Sequence, residues 1–248
     1  MTDMTGKVVL ITGGTRGIGR SVGLAFAREG ATIVASYTSN EAAAVEYGSE
    51  LEALGVKYLT VRSDSSRPEE IRSLFATAKE TFGRIDVVFS NAGIELIDTP
   101  ILDTTDAQID LLLNVNIRGT FYTLQEAAKV VEDGGRIIAT GSTIALNNPA
   151  GASLYGATKG ALKPMVQAVA REVAARGITA NLITPGVVEG AGVIRDLPQE
   201  TIDGYAALNP FGRQARPGDI GPLAVFLASE GAAFINGQAV AVDGGSIM

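Results

Sequence analysis

Hydrophobic and polar positions divide the chain into two kinds of segment that alternate. Short apolar runs rich in β-branched residues, such as KVVLIT at residues 7–12, are typical of strands buried on both faces of a sheet. Between them, longer segments carry apolar residues three and four positions apart, as helices do when they bury one face. The apolar runs predict strands at residues 7–12, 31–36, 56–61, 85–90, 136–140, 178–183 and 238–242.

The intervening segments predict helices at residues 18–28, 40–54, 66–82, 105–131, 153–176 and 219–227. Two of these helices begin with the pattern of a capping box, with Ser66 and Thr105 as the capping residues. Pro164 lies inside the predicted helix 153–176, where it removes a hydrogen bond to the Gly160 carbonyl. We expect a kink at this point and not a break.

Strands that alternate with helices specify an α/β fold with a doubly wound parallel sheet of about seven strands. The chain contains no linker, repeat or low-complexity tract, so residues 1–248 are predicted to form a single domain. Right-handed crossovers bring the carboxyl ends of the strands to one edge of the sheet, where ligands of such folds bind.

The composition narrows the classes of function. The net charge is −7 and the 20 basic residues are scattered, which argues against a nucleic-acid partner. The apolar stretches are too short to cross a membrane and no signal-peptide core precedes the first strand, so a cytoplasmic protein is expected. The absence of Cys and His removes thiolate nucleophiles and the usual general base, and no metal site is predicted. Acid–base chemistry is left to Asp, Glu, Tyr or Lys.

A glycine-rich turn, TGGTRGIG at residues 12–19, joins the first predicted strand to the first helix. Glycines permit positive φ and let the backbone approach a pyrophosphate, whose charge is stabilised at the helix N-terminus. Gly13, Gly17 and Gly19 are therefore predicted to bind the pyrophosphate of a dinucleotide. A turn that only changes the chain direction is the alternative. The position of the turn favours binding and a Rossmann-type fold.

The end of the second predicted strand bears on which dinucleotide is bound. Sites that select NAD carry an acidic residue about 20 positions after the glycine turn. Here Ser36, Tyr37 and Thr38 occupy that region, and no carboxylate precedes Glu41. Hydroxyls can donate to a 2′-phosphate, and Arg16 in the adjacent turn can pair with it, unless Arg16 is only a solvated loop charge. These residues favour NADP(H), with NAD(H) less favoured.

A tyrosine and a lysine four positions apart, in YGATK at residues 155–159, complete a set of motifs along the whole chain. With the glycine turn, the chain resembles the short-chain dehydrogenase/reductase family. The resemblance includes Asn91-Ala92-Gly93, Asn116 within NVNIRGTF, Ser142, Pro185-Gly186 and Asp243-Gly244-Gly245. Each motif lies at the end of the expected element.

The resemblance implies an NADP(H)-dependent enzyme that reduces a carbonyl to a secondary alcohol. Tyr155 would protonate the carbonyl oxygen, and Ser142 would donate a hydrogen bond to the same oxygen. Lys159, one helical turn after Tyr155, would bind the nicotinamide ribose and lower the pKa of the tyrosine. Asn116 would hold a water molecule that links Lys159 to solvent. The alternatives are that Ser142 is only a turn residue and Asn116 only a helix-bending one.

The resemblance also implies further residues that bind the cofactor. Asp64 matches a residue that contacts adenine, although its neighbour Ser65 replaces an apolar one, and Asn91 matches a residue that steadies the central strands. Ser90 departs from the family's common asparagine. Tyr155, Lys159 and the three glycines of the turn are thus predicted to bind the cofactor. The other predicted cofactor-binding residues are Thr15, Arg16, Ile18, Ser36, Tyr37, Thr38, Asp64, Ser65, Asn91, Ala92, Gly93, Pro185, Gly186 and Val188.

Two segments are predicted to border the substrate, residues 143–148 and a second, longer one after the sixth strand. The candidate substrate-binding residues in them are Thr143, Ile144, Asn148 and Val187. The second segment, residues 187–210, reads as an irregular lid. Its apolar character favours a ketone of moderate size, and the resemblance favours 3-ketoacyl thioesters, polyketides or aromatic ketones.

Two alternative functions stay open, and an oligomeric state is also expected. A sugar or alcohol dehydrogenase stays open, and so does a sensor or structural subunit that binds NADP(H) without catalysis. The resemblance implies a homotetramer formed through the long helices and the C-terminal strand. The apolar residues Leu111, Leu112, Leu113 and Val115 favour such an assembly, and core burial is the alternative.

Overall fold

A seven-stranded parallel sheet forms the centre of the protein in a computed structural model that describes residues 2–192 and 198–246. The strand order is β3-β2-β1-β4-β5-β6-β7, the doubly wound arrangement that the sequence predicts. The strands are β1 (Val8–Ile11), β2 (Thr32–Tyr37), β3 (Tyr58–Arg62), β4 (Val87–Ser90), β5 (Arg136–Thr140), β6 (Thr179–Pro185) and β7 (Ala239–Val242). The order reverses between β1 and β4, and this switch opens a crevice for a ligand.

Successive residues of the central strands enter two different cores. Val8 and Leu10 of β1 lie in the core on one face of the sheet, whereas Val9 and Ile11 lie in the core on the other. This alternation with a period of two explains why the strands are apolar throughout, since both faces are covered. The helices are α1 (Gly17–Arg28), α2 (Glu41–Ala53), α3 (Pro68–Phe82), α4 (Asp106–Leu112), α5 (Thr120–Val130), α6 (Ser153–Gly160), α7 (Leu162–Glu172), α8 (Gln199–Ala207) and α9 (Pro217–Leu227).

The long predicted helix 105–131 contains a π-helical segment, Leu113–Gly119, between α4 and α5. Asn116 lies inside this segment and is buried. Gly119, the last residue of the segment, packs closely on the chain that follows β3. A Cβ at Gly119 would lie 2.4 Å from the Ser65 carbonyl oxygen. π-Helical turns are rare and often occur at functional sites, and apolar periodicity does not distinguish them from α-helix.

The predicted helix 153–176 is two helices, α6 and α7, followed by a 3₁₀ turn at Ala174–Arg176. The hydrogen-bonding pattern changes at Ala161, which keeps right-handed torsion angles of φ −67° and ψ −20°. Pro164 thereby falls in the first turn of α7, where a missing backbone N–H costs little. The sequence predicted one kinked helix, whereas the structure has two helices, α6 and α7, that are separated only by Ala161.

The two predicted capping boxes differ in outcome. Thr105 forms one with Gln108, whose backbone N–H donates to the threonine side chain while its own side chain accepts from the Thr105 N–H. Ser66 does not cap a helix, because α3 begins at Pro68 and Arg67 is its N-cap. Proline is favoured at the first helical position, and Ser66 instead donates its hydroxyl to Asp64.

The stretch 187–210, predicted to be irregular, contains α8 in its second half. Residues 193–197 of the predicted lid lie outside the described residues. The first part of the stretch is tied to the body by a parallel bridge between Val188 and Ala215. No helix in the described part of the chain has the length and apolar content needed to span a bilayer.

Candidate active site

The glycine turn lies where β1 ends, next to the chain leaving β4. Gly13 and Gly17 have φ of 61° and 52°, in the left-handed region that favours glycine. A Cβ at Gly19 would lie 2.3 Å from the Gly13 carbonyl oxygen, so the turn closes tightly on the first residues of α1. The structure thus brings the three predicted pyrophosphate-binding glycines to one helix N-terminus.

Asn91 joins the central strands through hydrogen bonds to both neighbours. Its side-chain nitrogen donates to the carbonyl oxygens of Thr12 and Gly13, at 3.2 and 3.1 Å, and its side-chain oxygen accepts from the Thr140 hydroxyl at 3.2 Å. The Thr12 hydroxyl in turn accepts from the backbone N–H groups of Asn91 and Ala92. These bonds fix the glycine turn relative to β4 and β5, as the resemblance implied for Asn91.

The residues predicted to face a 2′-phosphate separate into two groups. Ser36 is buried, and its hydroxyl accepts a hydrogen bond from the Gly13 N–H at 3.1 Å. This side chain therefore stabilises the glycine turn. Thr38 and Arg16 are exposed, and Tyr37 is half-buried. Ser36 thus supports the turn in the structure, and its predicted contact with a phosphate stays a prediction.

Arg62 is a second cation at this place, and the sequence reasoning did not find it. Tyr37 pairs with Arg62 in the register of β2 and β3, and the Arg62 Nε donates to the Thr38 carbonyl oxygen at 3.2 Å. The guanidinium is exposed at the carboxyl end of β3. Recognising it required the knowledge that β3 lies beside β2 and in which register.

Asp64 and Ser65 follow β3 and form a compact turn. The Asp64 carboxylate accepts from the backbone N–H and the hydroxyl of Ser66, at 2.9 and 2.8 Å. The Asp64 N–H donates to the Glu70 side chain at 2.7 Å, and Ser65 is buried against Gly119. This turn therefore connects the predicted adenine side of the site to the π-helical segment.

The predicted catalytic residues come together at the carboxyl end of β5. Ser142 follows β5, while Tyr155 and Lys159 lie one turn apart in α6, both buried. The Lys159 Nζ lies 5.9 Å from the centroid of the Tyr155 ring and donates to the Thr140 carbonyl oxygen at 3.0 Å. The lysine thereby holds α6 against the end of the strand that carries Ser142.

The pKa of Tyr155 is raised from its ordinary value of 10.0, chiefly by burial and then by the negative charge of Glu95. A hydrogen bond with Ser142 lowers the pKa, and one with Glu95 raises it further. Burial and Glu95 therefore set the overall direction of the shift, and the lowering of this pKa by Lys159 that the resemblance implied stays a prediction. Tyr155 is protonated at neutral pH.

Burial lowers the pKa of Lys159 to about 8, and the charge of Glu95 opposes this shift. Removing an ammonium group from water disfavours its charged form, which is why the shift is downward. Lys159 therefore titrates near neutral pH, unlike an exposed lysine.

Asn116 clamps the chain that follows Gly93. Its side-chain oxygen accepts from the Ile94 N–H at 2.9 Å, and its nitrogen donates to the Ile94 carbonyl oxygen at 2.9 Å and to the Thr158 hydroxyl at 3.1 Å. Thr158 in turn donates to the Tyr155 carbonyl oxygen at 2.8 Å. Asn116 thus joins the segment after β4 to the helix of Tyr155. Its predicted role as a water ligand stays a prediction.

Glu95 is the second residue of the site that the sequence reasoning missed. Its half-buried carboxylate acts on the pKa of both Tyr155 and Lys159. A Cβ at Gly192 would lie 2.0 Å from its Oε2 atom, so the carboxylate packs directly on the backbone in the first part of the predicted lid, residues 187–210. No pattern within residues 91–100 signals this role, because it depends on contacts with two distant segments.

The candidate substrate residues line two segments that contact each other. The Thr143 hydroxyl donates to the Pro185 carbonyl oxygen at 3.2 Å, which ties the segment after β5 to the segment after β6. The Asn148 side chain packs on α6, since a Cβ at Gly156 would lie 2.5 Å from its nitrogen. Ile144 and Val187 are half-buried at this edge. The buried Thr143 therefore supports the wall and is not an exposed contact.

A family model described as enoyl-(acyl carrier protein) reductase matches residues 13–246, nearly the whole chain that carries this site. The chain belongs to the short-chain dehydrogenase/reductase family. It is therefore an oxidoreductase of the class that depends on NAD or NADP. The prediction made from the glycine turn, YGATK and the strand-end motifs is confirmed at the level of the family.

Relatives of this short-chain dehydrogenase/reductase cover it almost completely. A hydroxynaphthalene reductase-like protein of Metarhizium brunneum is 34% identical over 263 residues, which cover 99% of this chain and 96% of the relative. A short-chain dehydrogenase of Burkholderia cenocepacia, solved in complex with NADP, is 33% identical with a TM-score of 0.92, over 99% of each chain. A blue fluorescent protein from a metagenomic library, solved with NADPH, is 34% identical with a TM-score of 0.92, over 99% of this chain and 100% of that protein.

The residues of the crevice fit a nicotinamide dinucleotide. A Cβ at Gly93 would lie 3.4 Å from both the Lys159 Nζ and the Asn116 side-chain oxygen, so a side chain there would crowd both groups. The glycine turn supplies a helix N-terminus for a pyrophosphate, and Arg16 and Arg62 supply cations at the end of β2.

Proposed function

We propose that this enzyme is an NADP(H)-dependent reductase that converts a ketone into a secondary alcohol. The observation that supports the proposal is the meeting of Ser142, Tyr155 and Lys159 beside the glycine turn, with Tyr155 held in its protonated form. A non-catalytic sensor has no need for a buried tyrosine and lysine at the crevice.

Each residue has a distinct task in the proposed reaction. NADPH, when bound, supplies the hydride that reduces the carbonyl carbon. Tyr155 donates its proton to the carbonyl oxygen, and burial and Glu95 keep the tyrosine in its protonated form at neutral pH. Ser142 donates a hydrogen bond to the same oxygen as negative charge develops there. Lys159 binds the nicotinamide ribose hydroxyls and presents a positive charge beneath the tyrosine.

The raised pKa of Tyr155 also bears on the pH dependence of the reverse reaction. Oxidation of an alcohol requires Tyr155 to accept a proton and hence to be ionised first. Burial and Glu95 both oppose that ionisation, so the rate of oxidation is expected to rise with pH above neutrality.

We assign NADP(H) as the preferred cofactor. Arg16 is exposed in the glycine turn and Arg62 is bound to the Thr38 carbonyl oxygen, so two cations flank the end of β2. Guanidinium groups bind phosphates with paired hydrogen bonds, whereas an NAD site carries a carboxylate there. The relatives solved with NADP and NADPH support the same assignment.

The proposed substrate is an aromatic ketone of moderate size. The relative described as hydroxynaphthalene reductase-like favours this class over 3-ketoacyl thioesters and polyketides. A sugar or alcohol dehydrogenase is the alternative, distinguished by its substrates and by faster oxidation than reduction.

We further propose that the enzyme works as a cytoplasmic homotetramer. Leu112 is buried in the fold, whereas Leu111 and Phe121 on the same long helix are 52% and 51% exposed. Exposed apolar side chains of this size favour a partner surface. Light scattering coupled to size-exclusion chromatography tests the assembly; a monomer at micromolar concentration contradicts it.

A steady-state panel tests the proposed function. The purified enzyme is assayed with NADPH and NADH against aromatic ketones, acetoacetyl thioesters, quinones and sugars. We expect reduction of an aromatic ketone with NADPH, and a loss of about 10²-fold or more in kcat for Tyr155→Phe. Near-wild-type turnover by Tyr155→Phe contradicts the mechanism, and binding of NADPH without turnover of any ketone favours the sensor.

A further inference from the structure

Thr158 lies between Tyr155 and Lys159 in α6 and is buried. Its hydroxyl donates to the Tyr155 carbonyl oxygen at 2.8 Å and accepts from the Asn116 side-chain nitrogen at 3.1 Å. Asn116 belongs to the π-helical segment, so this one hydroxyl joins two elements whose residues are 42 positions apart in the chain. The backbone of Tyr155 is thereby tied to the π-helical segment through the Thr158 side chain.

The backbone of Ile94 determines the direction of each hydrogen bond in this connection. The Ile94 N–H donates to the Asn116 side-chain oxygen, so the other end of the amide is its nitrogen. That nitrogen has two hydrogens and donates to the Ile94 carbonyl oxygen and to the Thr158 hydroxyl. Because Asn116 is the donor to Thr158, the single proton of the hydroxyl is directed to the Tyr155 carbonyl oxygen. Thr158 therefore acts as donor and acceptor at once.

Tyr155 lies in the first turn of α6, a helix of only eight residues. The N-cap residue is Ala152, which has no side-chain group that could cap the helix. The Lys159 Nζ anchors the last turn of α6 to the Thr140 carbonyl oxygen. Thr158 provides a second anchor, and this one holds the turn that carries the tyrosine.

We propose that Thr158 is a positioning residue of the active site, which fixes the Tyr155 phenol by joining the tyrosine backbone to Asn116. The inference rests on the proposed reductase function and adds a residue to its machinery. A threonine hydroxyl in a helix often bonds to a carbonyl three or four positions back, and such a bond alone is local. The bond from Asn116 makes the connection tertiary, because Asn116 also clamps Ile94 in the segment after β4.

Thr158→Val tests this connection, since it replaces the hydroxyl with a methyl group of similar size. One N–H of the buried Asn116 amide then loses its acceptor, and a buried donor without an acceptor is unfavourable. A shift of the amide or of the first turn of α6 relieves this cost. Even a small displacement of a catalytic group lowers the rate of a reaction strongly. We therefore expect slower chemistry with little change in the binding of NADPH.

Thr123→Val is the matched control. Thr123 and Thr158 are each 1% exposed, and the Thr123 hydroxyl donates to the Gly119 carbonyl oxygen at 2.8 Å. Valine at this position removes the same kind of bond from a helical turn, 119–123, that carries none of the proposed catalytic residues. Thr158→Ser keeps the hydroxyl and is the rescue variant. Thr158→Ala replaces Thr158→Val in the same comparison if the valine variant does not fold.

Steady-state reduction of an aromatic ketone by NADPH measures kcat, and nicotinamide fluorescence measures the affinity for NADPH. We expect Thr158→Val to lower kcat by about tenfold or more and to keep the affinity within about threefold of the wild-type value. Thr158→Ser and Thr123→Val should keep kcat within about threefold. A loss of kcat below tenfold in Thr158→Val overturns the inference. An equal loss in either other variant, or a parallel loss of NADPH affinity, also overturns it.

NMR of the tyrosine ring separates this inference from the proposed function. The chain has six tyrosines, so ¹³C labelling at Cζ gives few resonances, and Tyr155→Phe identifies that of Tyr155. We expect this resonance to move in Thr158→Val and to stay in place in Thr158→Ser and Thr123→Val. If no ketone is reduced, the proposed function fails and the resonance alone decides the position of Tyr155. Turnover by the wild type, with the resonance unmoved in Thr158→Val, refutes the inference alone.

Discussion

The side-chain nitrogen of Lys159 donates a hydrogen bond of 3.0 Å to the carbonyl oxygen of Thr140, the last residue of β5. This contact fixes α6 to the strand that leads to Ser142, and it buries the lysine. Burial lowers the pKa of the ammonium, and the nearby Glu95 carboxylate partly restores it. The packing of Lys159 therefore determines both the position of its side chain and its lowered pKa.

Lys159 is expected to titrate near pH 8, whereas a free lysine has a pKa of 10.5. Because the folded value is the lower one, Lys159 is charged below about pH 8 and neutral above it. A titration of the protein with ¹³C-labelled lysine, followed by NMR, should show one resonance with this midpoint, absent from Lys159→Met. In Glu95→Gln the midpoint should fall further, since a negative charge is lost. A midpoint near 10 in the wild type contradicts the prediction.

Arg62 and Arg16 are expected to determine the preference for NADPH. Arg62→Ala and Arg16→Ala should each weaken binding of NADPH by about tenfold, because each removes a cation that pairs with the 2′-phosphate. The affinity for NADH should stay unchanged, since NADH has no 2′-phosphate. Quenching or enhancement of the nicotinamide fluorescence measures both affinities. Lys57→Ala, which removes an exposed charge just before β3, is the control and should change neither. Parallel losses for NADPH and NADH would contradict the assignment.

Asn116→Ala is expected to reduce stability by about 2–4 kcal/mol, because it leaves the N–H and carbonyl group of Ile94 without their partner. Urea unfolding followed by circular dichroism measures the loss. Asn114→Ala in the same π-helical segment removes only an exposed contact with Arg118 and should cost less than about 0.5 kcal/mol. Equal effects of the two substitutions would contradict the clamp.

Gly23 and Tyr47 form a close pair between α1 and α2. A Cβ at Gly23 would lie 1.9 Å from the Tyr47 hydroxyl oxygen, a buried atom with no hydrogen-bond partner among the described residues. Gly23→Ala should therefore destabilise by about 2 kcal/mol, and Tyr47→Phe should stabilise by about 1 kcal/mol. In the Tyr47→Phe background, Gly23→Ala should cost little, because alanine favours the helix. Additive effects in urea unfolding would show that the two residues do not clash.

Asp86 is expected to make the fold sensitive to acid. Its buried carboxylate accepts from the Val8 N–H at 2.9 Å and pairs with Arg84 and Lys7. Burial raises its pKa, but the hydrogen bonds from Arg84 and Val8 and the two positive charges lower it by more, below the ordinary 3.8.

The lowered pKa fixes the sign of the pH dependence. A lower pKa in the folded state stabilises the fold above about pH 3.8, and this contribution is lost as the pH falls through the folded value. Asp86→Asn should cost about 2 kcal/mol at pH 7, and the difference from wild type should shrink in acid. A constant difference between pH 2 and pH 7 would exclude this linkage.

The sequence determined the architecture, because strand burial and helix amphipathicity are properties of neighbouring residues. The runs that predicted seven strands correspond to β1–β7, and the parallel doubly wound sheet follows from their alternation with helices. The elements that were predicted incorrectly depend on longer-range effects. A π-helical turn at Asn116 and the division of the helix at Ala161 change the backbone hydrogen-bonding pattern, which apolar spacing does not reveal.

The sequence also identified Ser142 after β5, and Tyr155 and Lys159 in the helix α6, since these motifs have a known place relative to the strands of such a fold. It did not identify Glu95 or Arg62. Each acts through a contact with a residue far along the chain, Tyr155 in one case and Thr38 in the other. Such contacts are decided only when strand order, strand register and the Asn116 clamp bring separate segments together. The tertiary structure therefore decided the environment of Tyr155, and with it the direction in which its pKa is shifted.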